Sequence, residues 1–239
     1  MNHYAQEHDN ATFVDGFAID ATLASRMGFI RRTYAHVFGA ILAFMMLEFL
    51  FFSVEPIKVT LLTLIGGNWW LALIAFMVVS WVAGRWAESG ATPAKQYLGL
   101  GVFVFCEALI FVPLLWIANG YSSDVIPTAA FLTLVLFGGL TFVVFVTRQD
   151  FSFLSTAIWV GSIAALGIIA ASWLMGFSLG LLFISFMVVL MCGSILYQTS
   201  NVLHHYRTDQ HVAASLALFA SVATLFWYMI RLVMVFGDD

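Results

Sequence analysis

Two glutamates stand inside long apolar runs, Glu48 within Ile41 to Phe52 and Glu107 within Val102 to Leu115. A charge in hydrocarbon costs at least about 2.5 to 3.5 kcal/mol even on insertion scales, so such residues face a protein interior or a polar cavity and point to function. On a helix, Glu48 shares its face with Phe44, Met45, Phe51 and Phe52, and Glu107 is flanked by Phe103, Val104, Ile110 and Phe111. Both surrounds are apolar, and lost hydration disfavours the charged carboxyl. Two chemistries fit: a neutral carboxyl that bonds a nearby helix, which is the plainer reading, or a shared cation or proton site. Counted from the expected start of each span, Glu48 lies about 22 Å and Glu107 about 15 Å along its helix at about 1.5 Å per residue. Sharing therefore requires neighbouring, slightly offset helices.

The other chemically capable residues carry plainer expectations. His36, one turn inside the first apolar run, is read as a solvated or hydrogen-bonded side chain. His204, His205 and His211 lie near Asp209, but adjacent histidines diverge on a helix and no HExxH or zinc spacing occurs, so a solvated face is expected and no metal site. Cys106 and Cys192 sit in apolar runs without a CxxC pattern. Gly99 and Gly101 lack the strand and Lys-Ser/Thr of a phosphate loop. With no Gly-x-Ser-x-Gly elbow, no paired aspartates in apolar runs and no zinc signature, no enzyme activity and no cofactor are expected.

These residues must be positioned by membrane helices. Of 239 residues 62% are hydrophobic and 9% charged, against about 25% charged in soluble domains. A formal net charge of -4 with no basic patch argues against nucleic acid. Spans need about 20 mostly apolar residues. They are expected near Thr33 to Phe52, Trp69 to Arg85, Tyr97 to Ala118, Pro127 to Val146, Phe153 to Trp173, Phe177 to Tyr197 and Val212 to Phe236. The alternative is six spans plus a re-entrant segment, since Arg231 interrupts the last run. Residues 1–28 form a polar leader with Glu7, Asp9, Asp15 and Asp20 and no signal-peptide core, and residues 29–239 form the membrane domain. Asp20 is expected to cap a short helix leading into the first span.

With a cytoplasmic leader, seven of the nine Lys and Arg fall on the cytoplasmic side, leaving Lys58 and Arg231 opposite. Seven spans then carry Asp238 and Asp239 to the far side. Arg231 is expected to snorkel to the outer interface. Trp69, Trp70, Trp116 and Tyr121 are read as interfacial anchors, and Gly161, Ala165, Gly167 and Ala171 as small residues that admit a neighbouring helix.

Phe29-Ile-Arg-Arg-Thr-Tyr34, Arg148-Gln-Asp-Phe-Ser-Phe-Leu154, Ile195-Leu-Tyr-Gln-Thr-Ser200, Tyr206-Arg-Thr-Asp-Gln210, Leu216-Ala-Leu-Phe219, Leu225-Phe226 and Arg231-Leu232 stand in an order that resembles the Bax inhibitor-1 family of transmembrane proteins. The likeness extends over about residues 29 to 236, and its last third is the specific part. It implies an all-α bundle of seven transmembrane helices with the last one central, and for some members a pH-sensitive calcium leak. In those members two aspartates form a proton-sensing dyad. The matching positions here are Gln198 and Ser221, which do not titrate. A hydrogen bond between them is the expected remnant, worth about 1 kcal/mol or less. Arg85 resembles the basic partner of that dyad, and Asp209 matches the family's Thr-Asp element and is expected to cap the last helix.

Three classes of function follow. The chain is a passive calcium or cation leak through Glu48 and Glu107, a non-transporting regulator that binds another membrane protein such as a membrane protease, or, least favoured, an intramembrane enzyme. The expected setting is the inner or plasma membrane, with a stress-protective role.

Overall fold

The computed structural model describes residues 17–88, 90 and 92–237. Glu7, Asp9 and Asp15 of the leader, and Asp238 and Asp239, lie outside the described residues.

Seven helices are long and apolar enough to cross a membrane. They are α1 (Leu23–Ser53), α3 (Trp69–Ala87), α4 (Pro93–Tyr121), α5 (Val125–Thr147), α6 (Leu154–Met175), α7 (Leu181–His204) and α8 (His211–Phe236). Between α1 and α3 lie a short helix, α2 (Glu55–Leu61), and a π-helical turn over Leu62–Gly66. Pro56 sits in the first turn of α2, where a missing N–H and a fixed φ cost nothing. Among the described residues there is no strand, only one isolated bridge between Phe17 and Arg207.

The helices begin and end away from several expected positions. The first starts at Leu23, inside the segment assigned to the leader. Its N-cap is Thr22, whose hydroxyl accepts from the Ser25 N–H at 3.4 Å, so the cap falls two residues beyond Asp20 and opens the spanning helix itself. The last helix is unbroken through Arg231 and long and apolar enough to cross a membrane, which favours a seventh span over the re-entrant alternative. Its N-cap is Gln210 without a side-chain cap bond, because Asp209 turns to Arg207, Nε to Oδ1 3.3 Å. The turn after α6 extends to Gly180, with Gly176 at φ 73 closing the helix in the left-handed conformation that glycine adopts without a Cβ clash.

α8 is the centre of the bundle, packed against α1, α3, α4, α5 and α7. Its buried residues fall on all sides, from Val212 and Leu218 to Leu225 and Ile230. That is the pattern of a helix surrounded by others. α6 is the reverse case: Ala165 is its buried residue and it leans on α7. Gly161 fits tightly there, since a Cβ would stand 2.6 Å from a Leu190 methyl, but Gly167 meets nothing within 4 Å. Only the first half of the expected small-residue stripe therefore serves packing. A backbone-to-backbone approach lies elsewhere, at Gly99, where a Cβ would stand 2.6 Å from the Ala83 carbonyl oxygen.

Ring contacts mark the two ends. His36, near the middle of α1, meets Tyr97 and His211 near the starts of α4 and α8 at one end, the basic end, which also carries Arg31, Arg32 and Arg85. Trp69 stacks on Trp227 at 5.8 Å, and Trp70 meets Trp173 at 4.9 Å, at the opposite end. These two tryptophans anchor to other helices rather than to lipid alone, whereas Trp116 and Tyr121 are exposed as interfacial anchors would be.

Candidate functional site

Glu107 is the middle residue of the 29-residue α4, so it reaches the depth at which a charge is most costly. It is buried, yet it borders a cavity of about 260 Å³ between α3, α4 and α8. Trp69, Leu179 and Arg231 line that cavity toward the opposite end, and Phe76, Glu107 and Thr224 line it toward the interior. From Arg231 to Thr224 is seven residues, which makes the cavity about 10 Å deep along α8. A second space of about 410 Å³ lies farther out and shares Trp69, Trp227 and Arg231 with the first. It is bordered by Pro113, which removes a backbone donor from α4 where the helix turns past the space.

Arg231 thus stands between two cavities. Its guanidinium reaches the Leu179 carbonyl oxygen at 3.5 Å. That carbonyl belongs to the turn between α6 and α7, so Arg231 reaches toward the end of the bundle at which snorkelling is expected.

Toward the basic end the cavity is closed by rings. Phe76 packs on Phe103 at 6.0 Å, Phe103 on Phe219 at 6.1 Å and Phe219 on Phe44 at 6.3 Å, the last two edge to face. Aromatic pairs prefer these offsets, and each contributes beyond simple burial. The four rings come from four helices, with the central one supplying Phe219. No polar group of this layer offers a cation a ligand.

Glu48 is buried on α1, with neither carboxyl oxygen bonded to a partner among the described residues. Taking the His36–Tyr97 ring contact as the register, Glu48 is twelve residues and Glu107 ten residues further along, a height difference of about 3 Å. α1 and α4 are neighbours, as sharing requires. Even so, Glu48 is not among the residues that line the Glu107 cavity, and no hydrogen bond joins the two carboxyls among the described residues.

Gln198 and Ser221 do not meet as expected. Ser221 pairs with Ser194, Oγ to Oγ 2.9 Å, and Gln198 Oε1 accepts from the Tyr206 hydroxyl at 3.5 Å. Ser194 stands one turn before Gln198 on α7, and the short serine reaches only the residue directly across from it. Arg85 approaches neither position. It lies over the Trp81 ring at 5.5 Å and 3.8 Å from Glu88, on the surface.

The histidines also separate. His205 Nε2 pairs with Asp150 Oδ2 at 2.9 Å, His204 Nδ1 donates to the Ser200 carbonyl at 3.0 Å, and His211 joins His36 and Tyr97. Ser200 Oγ accepts from the Phe151 N–H at 2.9 Å, which fastens the Arg148 to Leu154 segment onto the end of α7. Two of the segments that carry the family likeness are thereby brought into contact. Burial opposes charge on Asp150, but bonds from the Ser152 N–H and side chain and from His205 outweigh it and hold this carboxyl below its ordinary range. Burial, with the neighbouring Tyr197, pushes the Tyr206 hydroxyl up to about 12. A polar surface cavity of about 470 Å³, lined by Ser152, Tyr197, Asn201 and His205 among others, adjoins this cluster.

Missed in the sequence were Trp227, Thr224 and Leu179 as cavity walls and Ser194 as the partner of Ser221. Arg231, an ionisable residue in an apolar run, carried the one signal that pointed to the outer cavity.

Fold and site together define a multi-pass helical membrane protein in which a central helix borders both a layer of aromatic rings and a cavity lined in part by Glu107. The chain belongs to the Bax inhibitor family, whose model, described as inhibitor of apoptosis-promoting Bax1, matches residues 26–238. It is similar to Protein LIFEGUARD 4 of Arabidopsis thaliana, 29% identical over 84% of this chain and 82% of that protein. The Golgi anti-apoptotic protein of Vaccinia virus (strain Lister) is 29% identical over 59% of this chain, and the match spans 58% of the viral protein's length. A protein named Modulator of FtsH protease YccA, of Escherichia coli (strain K12), is 31% identical over 46% of this chain and 52% of its own.

Proposed function

We propose that the chain is a passive, low-rate cation leak held in a closed state, with calcium as the cation that the family resemblance suggests and a stress-protective role. The observation that carries this reading is the cavity that reaches Glu107 from the Arg231 end and stops at the Phe76–Phe103–Phe219–Phe44 layer. In its ionised form Glu107 at the base of the cavity attracts a cation, and the ring layer on its basic side keeps the resting flux low. The basic end faces the cytoplasm in this reading, following the distribution of Lys and Arg, in an inner or plasma membrane. Without a titrating pair at Gln198 and Ser221, the gate does not depend on a shared proton there.

A second reading is supported by the relative named as a modulator of FtsH protease. Here the chain regulates a membrane protease without transport, presenting the polar cavity beside Tyr206 to its partner. Liposomes containing an internal calcium dye separate the two. Flux abolished by Glu107→Gln and unchanged by Gln198→Ala is expected from the leak. Absence of flux at any pH removes it, and recovery of a stable complex with a membrane protease from detergent extracts then supports regulation.

A further inference from the structure

A groove of about 360 Å³ runs along the outside of the bundle between α1 and α4, away from the Glu107 cavity. Its walls are apolar, from Ala40 and Leu47 of α1 to Leu100 and Val104 of α4. Gly39 and Gly101 border it, and a Cβ built on either meets no atom within 4 Å. These glycines do not draw helices together as Gly99 does; they leave space. From Ala35 to Leu47 the trough extends about 18 Å along α1, roughly the depth of one leaflet.

At the basic end the groove changes character. His36 and Tyr97 line it there, and the His36 ring lies 5.2 Å from that of His211. The Tyr97 hydroxyl and His211 Nε2 are 3.2 Å apart. Arg32 stands one turn before His36, which bonds its carbonyl at 2.6 Å, and the Arg32 charge acts on His211. Arg31 stands one turn before Ala35, on the same stripe of α1. The acidic group acting on His211, Asp209, is itself paired with Arg207. The trough is apolar along its length and carries an imidazole and a phenol at its basic end, with Arg31 and Arg32 one turn before its first lining residues on α1, an arrangement that complements a phospholipid of negative charge. A neutral headgroup would leave the cationic end uncompensated.

We propose that this groove binds an anionic phospholipid of the leaflet at the basic end, with one acyl chain along Gly39, Ala43 and Gly101 and the phosphodiester at Arg31, Arg32 and His36. The site is independent of whether the chain conducts cations.

Native mass spectrometry of the detergent-purified full chain tests it, with phosphatidylglycerol and phosphatidylcholine of identical acyl chains offered at equal concentration. Phosphatidylglycerol adducts are expected to exceed phosphatidylcholine adducts by on the order of fivefold for each arginine engaged. Arg32→Gln lowers phosphatidylglycerol retention by about that factor and leaves phosphatidylcholine unchanged. Gly101→Leu fills the trough and removes both lipids, while Gly138→Leu, at an equally open glycine of α5, removes neither. Equal retention of the two lipids, phosphatidylglycerol adducts that survive Gly101→Leu, or losses as large in Gly138→Leu overturn the proposal. If Gly101→Leu does not fold, Arg32→Gln at its exposed position decides alone, and undiminished phosphatidylglycerol binding overturns it.

Discussion

At the basic end the connecting segments are tied down by two side-chain bonds, Asp150 to His205 and Ser200 to Phe151, and by one backbone bond, Ala18 N–H to the Tyr206 carbonyl at 2.8 Å. At the opposite end the helices diverge around two cavities, and Arg231 spans them with one long bond to Leu179. The same central helix serves both. Its first half carries Ser215, Leu218, Phe219 and Ser221, all buried in close contact, whereas its second half turns Thr224, Trp227 and Arg231 toward open space. The bundle is closely packed at one end and holds the cavity bordered by Glu107 toward the other. In the proposed leak it is the ring layer, rather than a polar pair, that separates the halves.

The largest expected effect comes from removing that layer at its centre. Phe219→Ala deletes a nearly fully buried ring touching Phe44 and Phe103. In soluble cores such deletions cost about 3 to 5 kcal/mol. Dye-loaded liposomes should show a raised calcium flux that Glu107→Gln suppresses in the double variant, and the melting temperature in detergent should fall. A variant that loses stability without gaining flux would mean that the ring layer only packs the bundle.

A smaller effect is expected where α3 and α4 touch. The methyl of Gly99→Ala must displace the Ala83 carbonyl and the Ala87 N–H, which are backbone atoms and cannot swing aside. Overpacking of this kind costs about 1 to 3 kcal/mol. Thermal unfolding followed by helical circular dichroism measures it, with Gly101→Ala as the neutral neighbour, since its Cβ enters open space. Equal melting of the two variants would place the tight contact elsewhere.

The number of spans was legible because about 20 apolar residues suffice to identify each one, and the central place of the last helix came with the family likeness. Helix ends were not. Asp20 and Thr22 both suit an N-cap, and only backbone geometry separates them. Glu107 could be singled out because a carboxyl in hydrocarbon is costly wherever it stands. The walls that give it a cavity, Trp69, Trp227 and Leu179, come from three distant segments whose meeting depends on helix rotation. Helix rotation also decided Ser221. Spacing along α7 put Gln198 and Ser194 on one face, and reach selected the serine. Arg231 looked like a break in a span because its partner, a backbone carbonyl, has no signature in sequence.

The Ser194–Ser221 bond links α7 to the central helix about 3 Å from the ring layer, on the side of the Glu107 cavity. Interhelical bonds measured in membrane proteins average about 0.6 kcal/mol, partly because the hydroxyls find other partners when apart. Ser221 already has one, the Ala217 carbonyl at 3.1 Å. Ser221→Ala should therefore lower stability by about that amount and leave calcium flux unchanged, whereas a large change in flux would return the gate to the polar pair.

The smallest effect tests the tied-down end by pH. Asp150 is held below its ordinary range in the folded chain, so the folded state favours its charged form. Its contribution to stability is fully present above the ordinary carboxylate range near pH 4 and is lost as pH falls through the depressed folded value. Both partners of the His205 pair are about half exposed, so solvent screening keeps the contribution small. Asp150→Asn should then narrow the stability difference between pH 6 and pH 3 without altering stability at pH 3. Hydrogen exchange at Phe151, whose amide is held by Ser200, should rise at pH 6 in that variant if the segment is fastened through Asp150. If exchange there is unchanged, the Ser200 bond alone holds the segment, and the closed character of the basic end owes more to α7 than to the ion pair.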